Sequence, residues 1–382
     1  MLRQSINRRE KRVMRQKRAP RQLIPAPASM SRLADRLLRS VTAYRPFATH
    51  GPLVHLSAAP LQSRGLLLLQ GKESSDLLQG LVTNDVRQAH ASEAMLAFLL
   101  NPSGRIMADL MIYARTPDSL LLECDKQLMS DVQRHLTRHR LRKKAAIQAV
   151  DELSVWSLFA PSLASRVKLR DSHSVTASAS PSVARSPVVV NDNRLPIALY
   201  RVIAAAHEDW SSVATGISSR LEQEDASCHL TSEDEYRDFR YRIGFSEGSS
   251  DYPVNVALPL ESNGDFLQGI SFQKGCYVGQ ELTARSHHTG VVRKRLMPVW
   301  IDGSDAPPAA WVPGHEFRHP ESKKLMGRLR SVSGTRGLAL LYVDLVTRPD
   351  CQLFVGDSRV ATEVPFWWPT RAELQQPRQT EL

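Results

Sequence analysis

Apolar residues in this chain fall in short runs rather than long stripes, and the runs begin near Gly51. Residues 54–56 and 66–69 read as strands. Ser74-Ser75-Asp76 offers an N-cap to a helix through Leu77, Leu78 and Leu81, which ends in the turn-forming Thr83-Asn84-Asp85. Residues 94–100 and 105–113 flank Asn101-Pro102-Ser103-Gly104, the pattern of a hairpin, and residues 120–123 add a strand. A helix is predicted over residues 125–144, with Leu128, Val132, Leu136 and Leu141 as its stripe. Residues 146–150, 153–159 and 197–205 return to strand character. Ser232 caps a charged helix over residues 232–245, and residues 251–260 read as extended. From 291 to 367 the texture changes to short strands (296–301, 325–332, 338–346, 352–355) parted by turn residues, which predicts a small C-terminal β-barrel. Strand–helix alternation with hairpins makes the fold class α+β.

The ends and one insertion stand apart from this pattern. Residues 1–50 hold 13 Lys and Arg against Glu10 and Asp35. Leu33, Leu37, Leu38 and Val41 fall at helical spacing with Arg32, Arg36 and Arg39 around them, the build of a mitochondrial presequence. A basic tail for an acidic partner is the other reading, and Met14 and Met30 leave the true start open. Residues 171–187 contain six serines and two prolines and read as a flexible surface insertion. Residues 368–382 form a polar tail. At 382 residues the chain expects more than one domain.

The net charge of +11 is carried by that leader, because the rest of the chain balances 37 bases against 37 acids. A nucleic-acid binder needs a basic face on its folded part, so that class is set aside. No apolar run approaches the length that crosses a bilayer, and no membrane insertion is expected. Cys124, Cys228, Cys276 and Cys351 show no CxxC spacing and no zinc-like His partners, which suits a reducing compartment such as the mitochondrial matrix.

Candidate chemistry concentrates in Phe272-Gln273-Lys274-Gly275-Cys276-Tyr277-Val278-Gly279-Gln280-Glu281. The glycines permit a tight turn and close backbone approach. A helix following Gly279 and the ammonium of Lys274 would surround Cys276 with positive potential, favouring thiolate, the form that acts as nucleophile or soft-metal ligand. The plainer reading is a cysteine packed as a small hydrophobe. One thiol cannot complete a metal centre, so any metal role for Cys276 is shared with a partner. His287-His288 lacks a third ligand, and adjacent helical residues diverge, so no metal site is assigned there.

Lys274 to Glu281 resembles the hallmark of the YgfZ-type, folate-binding T-protein-like family (which also takes in the glycine-cleavage aminomethyltransferases), whose mitochondrial members are iron–sulfur assembly factors. Weaker likeness extends over residues 79–85, 101–110, 241–247 and 258–261. The resemblance implies a three-domain T-protein-like ring over residues 51–367, made of a folate-binding region of two α+β subdomains over 51–290 and a C-terminal barrel over 291–367. It implies a central hole where tetrahydrofolate binds, with Asn84, Asp85, Asp109 and Arg285 as contacts, together with Gly275, Tyr277, Gly279, Gln280 and Glu281 of the central string. The aminomethyltransferases carry two adjacent acids where this chain has Ala108-Asp109, which weakens the reading of a folate-dependent one-carbon transferase. Turn formation alone accounts for Asn84 and Asp85, and Arg285 lies four residues after Glu281, where a helical ion pair competes with a folate carboxylate. The function expected is maturation of mitochondrial four-iron four-sulfur proteins with A-type carrier proteins, through Cys276 with Lys274 beside it.

Overall fold

A computed structural model describes residues 55–90, 93–163, 169–170, 187–222, 226–290, 292–304 and 306–370. The basic leader, nearly all of the serine-rich insertion and most of the polar tail lie outside these residues. In chain order the first part comprises β1 (His55–Pro60), β2 (Arg64–Gln70), α1 (Ser74–Gln79), β3 (Glu93–Leu100), β4 (Ile106–Thr116), β5 (Ser119–Asp125), α2 (Met129–Arg140), β6 (Ala146–Val150) and β7 (Leu153–Phe159). There follow β8 (Val188–Asp192), β9 (Leu199–Ala205), α3 (Trp210–Arg220), β10 (Ser227–Leu230), α4 (Glu233–Arg242) and α5 (Gln280–Thr289). The last part is β11 (Lys294–Ile301), β12 (Glu316–Arg318), β13 (Leu325–Ser333), β14 (Arg336–Tyr342), α6 (Val343–Val346), β15 (Leu353–Val355) and β16 (Ser358–Thr362).

Strands β1 to β10 make one sheet in the order β10-β1-β7-β9-β8-β3-β4-β5-β2-β6. It consists of two five-stranded halves joined by a short parallel pairing, Glu93 opposite Asn191 and Ala94 opposite Asp192. One outer face is covered by α1 and α2 through Leu77, Leu78, Val132 and Leu136. The other is covered by α3 through Val213 and Ile217. The two inner faces share one core with α4 and the segment after it, built from Leu66, Phe98, Met111, Tyr236, Phe239 and Phe245 among others. The remaining six strands curl in the order β12-β13-β14-β11-β16-β15. The ring almost closes, with His315 Nε2 3.3 Å from the Phe354 carbonyl oxygen, around a core of Met297, Trp311, Phe317, Leu341 and Val355.

Three expectations need correction. Residues 251–260 are not extended: they belong to a run of turns in which Asn255, Asn263 and Gln268 take positive φ, a conformation that asparagine tolerates better than most residues. The segment 338–346 is strand only to Tyr342 and then a helical turn, α6. The long helix over 125–144 stops at Arg140, because Leu141 leaves the helix at φ 49 and ψ −114. Ser232 does cap α4, accepting from the Glu235 N–H at 3.1 Å. Strands β8, β10, β12 and β16 and helix α3 gave no clear periodic signal.

Candidate functional site

The central string is not a helix N-terminus but a loop that ends in one. Helix α5 begins at Gln280, four residues beyond Cys276, and Gly279 precedes it at φ 78. Gly279 is required twice over, by that φ and by the turn it rests on. A Cβ there would lie 2.3 Å from the Asn101 carbonyl oxygen and 3.2 Å from Gly104 Cα. Gly104, at φ 78, faces it reciprocally, its own Cβ position being 2.9 Å from the Gly279 carbonyl oxygen. Two glycines in contact therefore weld the hairpin turn 101–104 to the loop carrying Cys276. Gly275 differs: nothing lies within 4 Å of where its Cβ would be.

The other side of the loop is stitched to residues 79–85. Lys274 Nζ donates to the carbonyl oxygens of Gln79, Val82 and Asn84 at 2.7, 2.7 and 2.8 Å, and lies 5.1 Å from the Tyr277 ring centroid. The Val278 N–H donates to Gly80 O at 3.1 Å and the Ser271 N–H to Thr83 O at 3.0 Å. Thr83 Oγ1 completes the seam by donating to Gly269 O at 2.6 Å. Burial lowers the Lys274 ammonium to about 8. Its three donors are engaged with carbonyls, so Lys274 organises the loop rather than serving the thiol, contrary to its expected role beside Cys276.

Between these two anchors the thiol stands in the open. Of the four cysteines Cys276 alone is exposed, whereas Cys124 is buried and Cys228 and Cys351 are partly covered. Burial pushes the thiols of Cys124 and Cys228 up to about 12, which keeps them protonated and inert. Tyr277 turns inward against the main core, and burial raises its phenol to about 12. Gln280 accepts from the Tyr277 N–H at 3.2 Å. The expected pair between Glu281 and Arg285 does not form: both side chains are exposed, with no ion pair between them. His287 stacks on Phe272 at 3.6 Å between ring centroids. Among the described residues no group of three or more His, Cys, Asp or Glu side chains is placed to hold a metal.

The expected folate contacts do not converge. Asn84 lines a cleft of about 620 Å³ beside Phe272, His287, Gln268 and Asp265. Both of its amide hydrogens go to backbone carbonyls, Leu96 O at 2.8 Å and Gln268 O at 2.7 Å, and its oxygen accepts the Asp85 N–H. Asp85 caps the turn after it, accepting from Gln79 Nε2 at 2.8 Å and Arg87 Nε at 3.0 Å. Burial alone would raise that carboxyl, but the Arg87 and Gln79 hydrogen bonds hold it below its ordinary value. Asp109 is 1% exposed and pairs with Arg64 Nη1 at 3.1 Å while accepting from the Gly248 N–H. It touches no open space, so the acid role beside a folate nitrogen does not fit it.

Asp109 belongs instead to a buried charge network that the sequence reading missed. Arg64 also pairs with Glu123 at 2.7 Å, and Glu123 lies 3.3 Å from Arg201 Nε. Arg201 and Arg194 meet on Glu247, Arg194 at 2.7 Å, and Arg194 pairs with Asp192 at 2.5 Å. Arg240 pairs with Asp251 at 2.6 Å, and Asp251 accepts from Ser331 Oγ at 2.7 Å, which ties the barrel to the body. Burial alone would raise the Glu247 carboxyl, yet Arg201, Arg194, Arg64 and Arg240 hold it well below the usual range. The available signal was a charge set among apolar residues within a strand, as Asp109 in β4, Glu123 in β5 and Arg201 in β9, which burial permits only with partners.

Comparison with known proteins agrees with this architecture. Residues 293–370 match the family model of the CAF17 C-terminal beta-barrel domain. The chain is 32% identical over 329 residues to mouse mitochondrial iron–sulfur cluster assembly factor IBA57, covering 82% of this chain and 86% of that one. It is 33% identical over 330 residues to human IBA57, covering 81% and 85%. It is 33% identical to the IBA57 homolog of Coccidioides immitis, covering 75% and 71%. Glycine cleavage system aminomethyltransferase T from Bartonella henselae superposes with a TM-score of 0.59 at 10% identity, covering 82% of this chain and 87% of that one, a likeness of fold alone. With a T-protein-like body, a terminal barrel and close relatives along most of its length, the chain belongs to the mitochondrial IBA57 family.

Proposed function

We propose that this chain is an iron–sulfur cluster assembly factor of the mitochondrial matrix, which works with an A-type carrier in maturing four-iron four-sulfur proteins. The relatives are named mitochondrial assembly factors, and that shared name supports the role and the organelle. The observation that carries the part played by Cys276 is its exposure at the crest of a loop fixed from both sides. The glycine contact holds one flank and the Lys274 ammonium the other. A thiol held this way meets a partner's cluster without first ordering its own loop, which lowers the entropy lost on docking.

The cluster is cargo in this reading. It needs about four ligands, and Cys276 supplies one, so the carrier brings the rest. Lys274, Gly279 and Gly104 position the loop. The 620 Å³ cleft is of a size that holds small molecules. Its neighbours among the expected folate contacts are engaged with the protein itself, so no transfer step through tetrahydrofolate is derived. The experiment is replacement of the chain in cells by Cys276→Ser. Cluster-dependent enzymes should lose activity while the variant accumulates and folds normally. Wild-type enzyme activity in that variant would overturn the assignment to Cys276.

A further inference from the structure

Far from the charge balance of the whole folded part, residues 134–144 carry six cations (Arg134, Arg138, Arg140, Arg142, Lys143 and Lys144) and no acid. Structurally this is the end of α2 and the turn that leads to the edge strand β6. Arg138, Arg142 and Lys144 are exposed, and Arg140 and Lys143 half-buried. Two carboxylates answer the patch in part: Asp131 pairs with Arg134, and Glu73 accepts the Lys144 backbone N–H at 2.7 Å. Among the described residues, Arg142, Lys143 and Lys144 have no side-chain ion pair, the nearby pair being Arg134 with Asp131.

At the crest of these cations stands Leu141. It is 85% exposed, the most exposed of the large hydrophobic residues described. Its φ of 49 and ψ of −114 belong to a region that only glycine enters freely. Backbone strain of this kind persists where surroundings impose it and clusters at functional positions. Here the surroundings are the Lys143 N–H donating to Arg140 O at 2.9 Å, the Ala145 N–H donating to Lys143 O at 3.0 Å, and Arg140 Nη1 donating to Ala145 O at 3.3 Å. The result is a tip on which Leu141 is the one exposed large hydrophobic side chain among the bases, beside a cleft that it lines with Glu73, Arg140, Arg142 and Lys143.

We infer that this tip docks the protein on an anionic phospholipid bilayer, with Leu141 entering the headgroup layer and the surrounding bases meeting lipid phosphates. Clusters of about four to eight Lys and Arg beside a membrane are the usual electrostatic footprint of such contact. Charge favours an anionic bilayer over a protein partner: six bases without an acid match a surface of lipid phosphates, and one exposed apolar side chain cannot supply a protein interface of about 800 Å² per side. The contact inferred is peripheral, and no helix of the described residues is long and apolar enough to cross a membrane.

The test is flotation of the full chain with phosphatidylcholine vesicles with or without phosphatidylglycerol, at low and high salt. Wild type should float with the anionic vesicles only, and release with salt. The triple change Arg142→Gln, Lys143→Gln, Lys144→Gln should weaken binding roughly a hundredfold, and Leu141→Asn about tenfold. Leu141→Trp should keep binding and gain emission that shallow quencher lipids extinguish. Leu141→Gly should raise the denaturation midpoint by relieving the strain, yet weaken vesicle binding, which separates docking from folding. Binding of the tip variants equal to wild type would mean that the basic leader alone holds the vesicle, and would overturn the inference. So would retention of an RNA oligonucleotide in place of vesicles.

Discussion

Gly279→Ala isolates the contact that fixes the Cys276 loop, and its cost can be worked from the coordinates. The residue sits at φ 78, so any Cβ pays a left-handed backbone penalty of about 1–2 kcal/mol. That Cβ would also lie 2.3 Å from the Asn101 carbonyl oxygen, which accepts the Gly104 N–H at 2.9 Å and so holds a turn in place. Relieving the overlap means displacing one backbone against the other, an overpacking cost of about 1–3 kcal/mol. The sum is about 3 kcal/mol. Gly275→Ala, one residue before Cys276, meets nothing within 4 Å and has no positive φ, so it should stay within about 0.5 kcal/mol of wild type. Gly104→Ala should resemble Gly279→Ala, and the double variant should cost less than the two singles together, because both disturb one contact. Urea denaturation of wild type and the four variants gives these differences directly. Gly279→Ala folding as stably as Gly275→Ala would refute the claim that the two loops are welded by glycines.

Lys274→Met leaves the Gln79, Val82 and Asn84 carbonyls without their shared donor and should destabilise the protein by about 2 kcal/mol near neutral pH. Because burial sets the folded ammonium at about 8 against 10.5 for an ordinary lysine, the folded state releases its proton first. Wild-type stability should therefore rise relative to Lys274→Met as pH climbs from about 8 to about 10.5, measured by denaturation across that range. Glu247→Gln strands Arg201 and Arg194 and should cost about 3–5 kcal/mol. Since the Glu247 carboxyl is held below its ordinary 4.5, its contribution is complete above that pH and is lost as pH falls through the lower folded value. Acid titration of stability should show this loss in wild type and a flatter profile in the variant.

Much of this was legible in the chain because period-two and period-3.6 patterns report which faces are buried. Strands β2 to β7 and the barrel strands β11, β13, β14 and β15 were readable for that reason, and the Ser232 cap from its residue type. Gly279 was legible as a glycine needing close approach. Its partner Gly104, 175 positions earlier in the chain, was not, since a contact between distant turns leaves no local pattern. Lys274 misled because nearness in sequence to Cys276 suggested nearness in space, while its side chain runs to carbonyls of residues 79–84. Asp109 misled similarly: the family likeness supplied a role, and the strand's pairing with Arg64 supplied a different one. Helix α3 was missed because Ser and Thr crowd its polar face and dilute the apolar stripe of Val213 and Ile217.

The most direct measurement mixes the purified chain with an A-type carrier loaded with a cluster and follows the visible charge-transfer bands. Wild type should shift those bands as Cys276 Sγ becomes a ligand, while Cys276→Ser, folded and equally stable, should leave the carrier's spectrum unchanged. An identical shift from Cys276→Ser, or none from wild type, would contradict the account.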